Sequence, residues 1–200
     1  RLHTDYIDLY QLHGGTIEDN IDETIEAFEE LKQEGVIRHY GISSIRPNVI
    51  KEYIKKSNIV TVMMQYSLLD RRPEEWLSLL EEHGISVIAR GPLAKGILTE
   101  KPLSDANAAI KKNGYLSYSY DELVKTKADI EKTAPDLSAT ETAMKYILAQ
   151  PAVGAVIPGA SKISQLRENV ESVGGRGLTE QEIKALRFYT KRGVYTAHRE

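Results

Sequence analysis

The stretch Tyr6-Ile7-Asp8-Leu9-Tyr10-Gln11-Leu12 is short and rich in apolar residues, and Gly14-Gly15 ends it. An apolar run of this length, bounded by glycines, predicts a buried strand. Apolar residues then recur at helical spacing over residues 24–32, and a second apolar run over 36–43 predicts another strand. The chain therefore begins with a strand, a helix and a strand, which is the pattern of a parallel sheet.

The same alternation continues along the chain. Further strands are predicted over residues 59–65, 85–89 and 152–157. Helices are predicted from Pro47 and over residues 73–82, 121–133, 138–149, 163–173 and 179–189, whereas residues 91–120 show little periodicity. No low-complexity linker divides the chain, so we predict one α/β domain over residues 1–200 that is built from five βα units.

Two parallel folds compete for this pattern. A doubly wound open sheet is complete with five strands, whereas a TIM barrel needs eight strands and about 250 residues. Length alone favours the open sheet. However, Leu12-His13-Gly14-Gly15-Thr16 lacks the glycine-rich dinucleotide turn that would follow the first strand of such a sheet.

Composition excludes several classes of protein. Lys and Arg number 26 against 29 Asp and Glu, and a net charge of −3 argues against a nucleic-acid partner. The absence of cysteine excludes disulfides, thiolate metal sites and a cysteine nucleophile. No apolar run reaches membrane-spanning length, so we expect a cytoplasmic protein. The acidic residues between positions 18 and 30 are typical of a solvated helix face, and no metal site is predicted.

Polar residues follow the predicted strands at their carboxyl ends, where parallel α/β folds place their active sites. His13 follows the first strand, and its imidazole suits proton transfer or carbonyl polarisation, although a structural bond to local backbone is the alternative. Ser43, Ser44 and Gln65 end the next two strands. They supply the donors and acceptors that a carboxamide such as nicotinamide needs, or else a helix cap and a loop contact.

Two later strand ends suit a phosphate. Arg90 could clamp phosphate or stack on a ring, with an ion pair as the alternative. Residues 158–162, Pro-Gly-Ala-Ser-Lys, precede a helix and suit an anion, or form a simple capping turn. Glu168-Asn169 on that helix would by itself be solvent-facing. The tyrosine-rich residues 115–120 are either a flap over a ligand or a packed loop.

Together these residues resemble the aldo-keto reductase family over essentially the whole chain. The marks of the resemblance stand in the family's order, each at a strand end: Thr4–His13, Gly41-Ile42-Ser43-Ser44, Gln65-Tyr66-Ser67, and Ile157–Ser161 followed by Gln165, Glu168 and Asn169. The segment Arg90–Gly96 and the tyrosine-rich loop most resemble a bacterial subgroup of the family.

The resemblance implies a TIM barrel that reduces aldehydes or ketones, small-molecule carbonyl substrates, with NADPH. It makes His13 the catalytic histidine that polarises the carbonyl. Ser43, Ser44 and Gln65 would hold the nicotinamide carboxamide, and Arg90 would reach the cofactor. The remaining cofactor-binding residues would meet the 2′-phosphate region and the adenosine end, in chain order Gly159, Ser161, Lys162, Gln165, Glu168 and Asn169.

The family's catalytic set is Asp, Tyr, Lys and His, of which the resemblance places only the histidine in this chain. We therefore expect the chain to be the last five βα units of a barrel, with the other three catalytic residues upstream, and to be inactive alone. The start without Met, close to a predicted strand, fits this truncation. The alternative is a non-catalytic NADPH-binding or interaction protein of the same fold. A phosphate-handling isomerase or aldolase is a third possibility, which no strand-end Lys or Glu supports, and the oligomeric state is unknown.

Overall fold

A computed structural model describes residues 3–200, and the parallel sheet that the sequence predicts is present in them. Its strands follow one another in the order β1-β2-β3-β4-β5, and all neighbouring pairs are parallel. Each strand lies within two residues of its predicted position. They are β1 (Ile7–His13), β2 (Ile37–Ser43), β3 (Thr61–Gln65), β4 (Ser86–Arg90) and β5 (Val153–Ile157). Arg1 and Leu2, the first residues of the predicted domain, lie outside the described residues.

The strand order separates the two competing folds. A doubly wound sheet reverses its strand order at a switch point, where its ligand binds. Here the order runs in one direction only, and right-handed crossovers that all step the same way place their helices on one face of the sheet. This winding is that of a TIM-like barrel, so the preference for an open sheet that length alone suggests is wrong.

The helices cover one side of this sheet. They are α1 (Ile21–Gln33), α2 (Pro47–Lys56), α3 (Leu77–Glu82), α4 (Ala108–Asn113), α5 (Tyr120–Thr133), α6 (Ala139–Leu148), α7 (Ile163–Glu171) and α8 (Glu180–Tyr189). The helix predicted over residues 73–82 is divided into a 3₁₀ turn, Arg72–Glu75, and α3. The stretch 91–120, predicted without periodicity, contains α4, which begins at the Asn107 cap.

The centre of the sheet is closely packed. Tyr40, Ile42, Val62 and Met64 of β2 and β3 are fully buried. Gly41 lies between them, and a Cβ at this position would stand 2.2 Å from Thr61 Oγ1. Gln11 Nε2 of β1 reaches over the glycine to donate to the same oxygen at 3.0 Å. Glycine is thus required at position 41, where a side chain would meet Thr61 beneath the Gln11 contact.

The two outer strands are much less covered. Tyr10 of β1 is 45% exposed, and Ile157 of β5 is 49% exposed. Helix α7, which follows β5, also carries exposed apolar side chains at helical spacing: Ile163, Leu166 and Val170. The described residues therefore leave one apolar margin at β1 and another at β5 and α7.

Candidate active site

The predicted site residues come together at the carboxyl edge of the sheet. His13 lies in register with Ser43, Gln65 lies in register with Arg90, and Arg90 lies in register with Ile157. Neighbouring parallel strands end at the same edge, so these strand ends form one row, in which Gln65 extends two residues beyond Ser43 because Ser43 is in register with Met63. His13 and Ile157, 144 positions apart in the chain, thus lie at one edge of the sheet.

His13 ends β1 with an exposed side chain. The chain then turns away, and Gly14 N–H donates to Ser43 O at 3.0 Å, which fixes the end of β1 against β2. Gly14 and Gly15 both have positive φ, a conformation that glycine adopts without strain. The imidazole is thus held at the edge of the sheet, accessible to a small molecule.

Ser43 is half-buried at the end of β2, whereas Ser44 is buried. Ser44 Oγ accepts a hydrogen bond from Arg46 N–H at 3.1 Å in the turn before α2. That contact uses the oxygen as an acceptor and leaves the hydroxyl proton to donate elsewhere. The helix cap predicted as the alternative role is wrong, because the N-cap residue of α2 is Arg46 and no side chain caps this helix, and the turn that Ser44 makes instead leaves its hydroxyl proton free for a ligand.

Gln65 lies at the centre of a polar cluster. Its Nε2 donates to Asp70 Oδ2 at 2.9 Å and to Tyr115 Oη at 3.2 Å, while its Oε1 accepts from Arg90 Nη1 at 3.3 Å. Tyr115 belongs to the tyrosine-rich loop and is buried, so the loop packs on the end of β3. Sequence reasoning missed Asp70, and it named Tyr115 only as part of a flap or packed loop, because nothing in the spacing of either residue from Gln65 indicates a contact.

Asp70 is held firmly in this cluster. Its side chain is fully buried, and Arg72 Nε and Nη2 donate to its two carboxylate oxygens at 2.7 Å each. Its backbone N–H also donates to Ser67 O at 3.0 Å and Ser67 Oγ at 3.1 Å. Arg72 thus pairs this buried carboxylate through both of its oxygens, and the Ser67 turn fixes its backbone.

A cavity of about 710 Å³ lies between the segment after β4 and the segment after β5. Gly91, which follows Arg90 directly, is among its lining residues, so the row of strand-end residues leads into the cavity. From the β5 side, Gly159, Ser161 and Gln165 line it. Ser161 N–H and Oγ donate to Gln165 Oε1 at 2.9 and 3.1 Å, and the exposed Lys162 is the N-cap residue of α7.

Asn169 and Glu168 of α7 also line this cavity. Asn169 is only 6% exposed, and within residues 3–200 its Nδ2 has no hydrogen-bond partner. A buried donor without a partner is costly, and its position on a cavity wall suits a ligand that brings an acceptor. The solvent-facing interpretation of Asn169 is therefore wrong.

Glu168 is joined to two residues that sequence reasoning missed. Thr140 Oγ1 lies 2.9 Å from Glu100 Oε2 and 3.1 Å from Glu168 Oε1, and Thr140 N–H donates to Glu100 Oε1 at 3.0 Å. The contact with Glu100 raises the pKa of Glu168. Burial raises the pKa of Glu100, but hydrogen bonds from Glu168 and Thr140 outweigh it and lower that pKa to about 2. The adenosine end predicted for this pocket therefore contains a second carboxylate.

Within the described part of the chain, no helix combines the length and the apolar character needed to cross a bilayer. The family model described as the aldo/keto reductase family matches residues 1–189.

Individual relatives agree with that match. A Bacillus subtilis protein described as uncharacterized oxidoreductase YqkF is 72% identical over 199 residues, which are 100% of this chain and 65% of the relative. An Escherichia coli protein described as NADH-specific methylglyoxal reductase is 30% identical over 182 residues, covering 86% of this chain and 56% of its own length.

A solved structure gives the same result for the fold. The holo form of the aldo-keto reductase AKR11C1 from Bacillus halodurans superposes with a TM-score of 0.92 at 57% identity, over 100% of this chain and 64% of that one. The chain thus spans somewhat less than two thirds of the length of these relatives. The family match, the identities and the parallel sheet agree, and the chain belongs to the aldo/keto reductase family.

Proposed function

We propose that this chain forms part of an NADPH-dependent reductase that converts small aldehydes or ketones to alcohols. The observation that carries the proposal is the row of strand ends from His13 to Arg90, with a two-residue offset between Ser43 and Gln65, that leads into the cavity lined by Asn169. An elongated ligand fits this row, with one end at the exposed histidine and the other at the buried amide. The substrate in the name of the Escherichia coli relative supports a carbonyl substrate, and that relative is named as NADH-specific, so the choice of NADPH rests on Lys162.

The roles of the residues near His13 follow from the row. The bound dinucleotide supplies the hydride. His13 would donate a hydrogen bond to the carbonyl oxygen of the substrate and so stabilise the charge that develops there. Ser43, Ser44 and Gln65 would orient the nicotinamide carboxamide, and Arg90 would contact the cofactor where the row enters the cavity.

The cavity would hold the other half of the dinucleotide. Gly159 and Ser161 would approach the 2′-phosphate region, and Lys162 would bring its positive charge to the same phosphate. Gln165, Glu168 and Asn169 would contact the adenosine end, and the unpartnered Asn169 Nδ2 fits an acceptor on the base. The residues present therefore fit the proposed cofactor.

The proposal includes a closed barrel of which this chain is the last five βα units. Three observations support it: the strand order runs in one direction, the margins at β1 and at β5 and α7 are apolar, and the chain spans 65% of YqkF. A tyrosine proton donor and its Asp and Lys partners would then come from upstream strands. We therefore expect the 200 residues alone to show no turnover.

The test follows NADPH absorbance in the presence of a reactive aldehyde. It compares this chain with one that is extended upstream to the length of its relatives. We expect oxidation of NADPH by the extended chain only. Turnover by the 200 residues would show that no upstream proton donor is needed, and cofactor binding without turnover by the extended chain would instead indicate a non-catalytic nucleotide-binding protein.

A further inference from the structure

The hydrogen-bonding capacity of the Gln65 amide is largely used within the protein. An amide nitrogen carries two protons, and those of Gln65 Nε2 are directed to Asp70 Oδ2 at 2.9 Å and Tyr115 Oη at 3.2 Å. The amide oxygen has two lone pairs, of which Arg90 Nη1 occupies one at 3.3 Å. A ligand at Gln65 can therefore use only the second lone pair of Oε1, as an acceptor, and finds no free N–H donor on this amide.

Asp70 determines this orientation. A flipped amide would place Oε1 against the carboxylate of Asp70, and an ionised carboxylate only accepts hydrogen bonds. Asp70 cannot turn away, because Arg72 binds both of its oxygens and the Ser67 turn holds its backbone. The buried charge of Asp70 thus distinguishes two amide orientations that have the same shape.

We infer that Asp70 is a positioning residue that fixes Gln65 as a hydrogen-bond acceptor, so that the ligand group at Gln65 must donate an N–H. The inference rests on the proposed function, which places the nicotinamide carboxamide at Gln65. A primary carboxamide supplies the required N–H. An acetyl group, in which a methyl replaces the amide nitrogen, has the same outline and no donor, and Gln65 discriminates against it.

The experiment measures dissociation constants of NADP⁺ and of its acetylpyridine analogue for the chain extended upstream to the length of its relatives, as wild type and as Asp70→Asn. Wild type should prefer NADP⁺ by about tenfold, the effect of one net hydrogen bond. In the variant, the introduced side chain keeps its oxygen on Arg72 and turns its amide nitrogen to Gln65. Only Arg90 then holds Oε1 in place, so the Gln65 amide is no longer fixed in one orientation and the preference should fall to about one.

Two controls separate positioning from a general loss of structure. The ligand 2′-phospho-ADP-ribose lacks nicotinamide, and its affinity should be the same for both proteins. Tyr115→Phe removes one acceptor of Nε2 but leaves Asp70, so it should keep the preference for NADP⁺. Asp70→Asn leaves Arg72 without its counter-charge in a partly buried site. If that variant does not fold, the neutral pair Asp70→Asn with Arg72→Gln takes its place, with the same expected ratio.

The outcomes are distinct. Equal weakening of NADP⁺ and its analogue by Asp70→Asn would assign Asp70 a structural role and overturn the inference. Equal affinities of wild type for the two dinucleotides would overturn it as well, while the cofactor site would stand. Failure of wild type to bind either NADP⁺ or 2′-phospho-ADP-ribose would instead contradict the proposed function, and with it the inference.

Discussion

Asn169 places a hydrogen-bond donor without a partner in the interior, which lowers the stability of the ligand-free protein. Its Nδ2 is buried on the wall of the cavity without a partner among residues 3–200. A polar atom buried in this way lowers the free energy of unfolding by about 1–3 kcal/mol relative to a satisfied one. We interpret the cost as the consequence of a donor that is reserved for a ligand.

Replacing Asn169 should therefore separate stability from binding. We expect Asn169→Leu to raise the free energy of unfolding by about 1 kcal/mol, because it removes the unpaired donor at similar volume. The same change should lower the affinity for 2′-phospho-ADP-ribose about tenfold, since the loss of one net hydrogen bond has that effect. Chemical denaturation and calorimetry measure the two quantities. Ser164→Ala on the same helix is the control and should change neither, and a variant that lost both stability and affinity would contradict this view of Asn169.

Lys162 allows a second test at the level of one side chain. If its ammonium group contacts the 2′-phosphate, Lys162→Ala should lower the affinity for NADPH by tenfold or more, because a charge-assisted hydrogen bond contributes about 1.5–3 kcal/mol. NADH, which lacks that phosphate, should bind as before. Fluorescence titration with both cofactors gives the ratio, and Lys184→Ala on α8 serves as the matched control. Equal losses for NADPH and NADH would remove Lys162 from the phosphate site.

At the scale of elements, one buried carboxylate joins the end of β3, the 3₁₀ turn and α6. Glu74 accepts hydrogen bonds from Tyr66 Oη at 3.1 Å, from Tyr146 Oη at 2.6 Å and from Arg71 Nη2 at 2.8 Å. Burial raises the pKa of Glu74, but the hydrogen bonds from Arg71 and Tyr146 outweigh burial and lower it overall. The Arg71 and Glu74 side chains are 4% and 10% exposed, so their charges depend on each other.

Removal of Glu74 should be severely destabilising. We expect Glu74→Ala to lower the free energy of unfolding by about 3–5 kcal/mol, because it leaves the Arg71 charge buried without its partner. A depressed carboxyl pKa stabilises the fold above the unfolded-state pKa and ceases to do so as pH falls through the folded-state value. The difference between wild type and variant should therefore shrink under acid conditions. Urea denaturation at several pH values measures it, and Glu81→Ala, an exposed position on α3, should show no comparable loss.

The regular elements could be predicted where their residues carry a clear pattern. The three later strands are short runs with two or three β-branched residues each, and the bounds of all five strands agree with the prediction to within two residues. Helix α4 has six residues and depends on the Asn107 cap and on burial of Ile110, so it shows too few turns for a recognisable period. The 3₁₀ turn before α3 was missed because tertiary bonds to Glu74, which no local pattern indicates, hold it apart from the helix.

For the whole molecule, the margins at β1 and at β5 and α7 provide a test of barrel closure. Leu166 and Val170 of α7 are 56% and 65% exposed in this chain. If an upstream segment packs on these side chains, the double variant Leu166→Glu with Val170→Glu should leave the stability of the 200-residue chain unchanged and increase its solubility. The same pair of changes should destabilise the extended chain by several kcal/mol, since each charge would be buried without a partner. Thermal unfolding of both chains measures this contrast, and an equal effect in both would show that α7 remains open to solvent.

The site as a whole could be predicted only in part. Strand-end residues such as His13 and Gln65 follow from topology, because parallel strands must end at one edge. Asp70, Tyr115, Glu100 and Thr140 enter the site from turns, loops and a helix start, and their contacts span between 5 and 50 residues of sequence. Such contacts depend on how the connecting segments fold back over the sheet, and the hydrophobic periodicity of the sequence does not predict the conformation of those segments.

The one-directional strand order also has a consequence for biosynthesis. Every pair of neighbouring strands in the described sheet is also consecutive along the chain. A ribosome that releases the chain from its amino end can therefore add βα units one at a time, and only closure of the proposed barrel requires its first strand to wait for its last. A stalled or shortened nascent chain would present a sheet whose last strand is the growing edge, ready for the next.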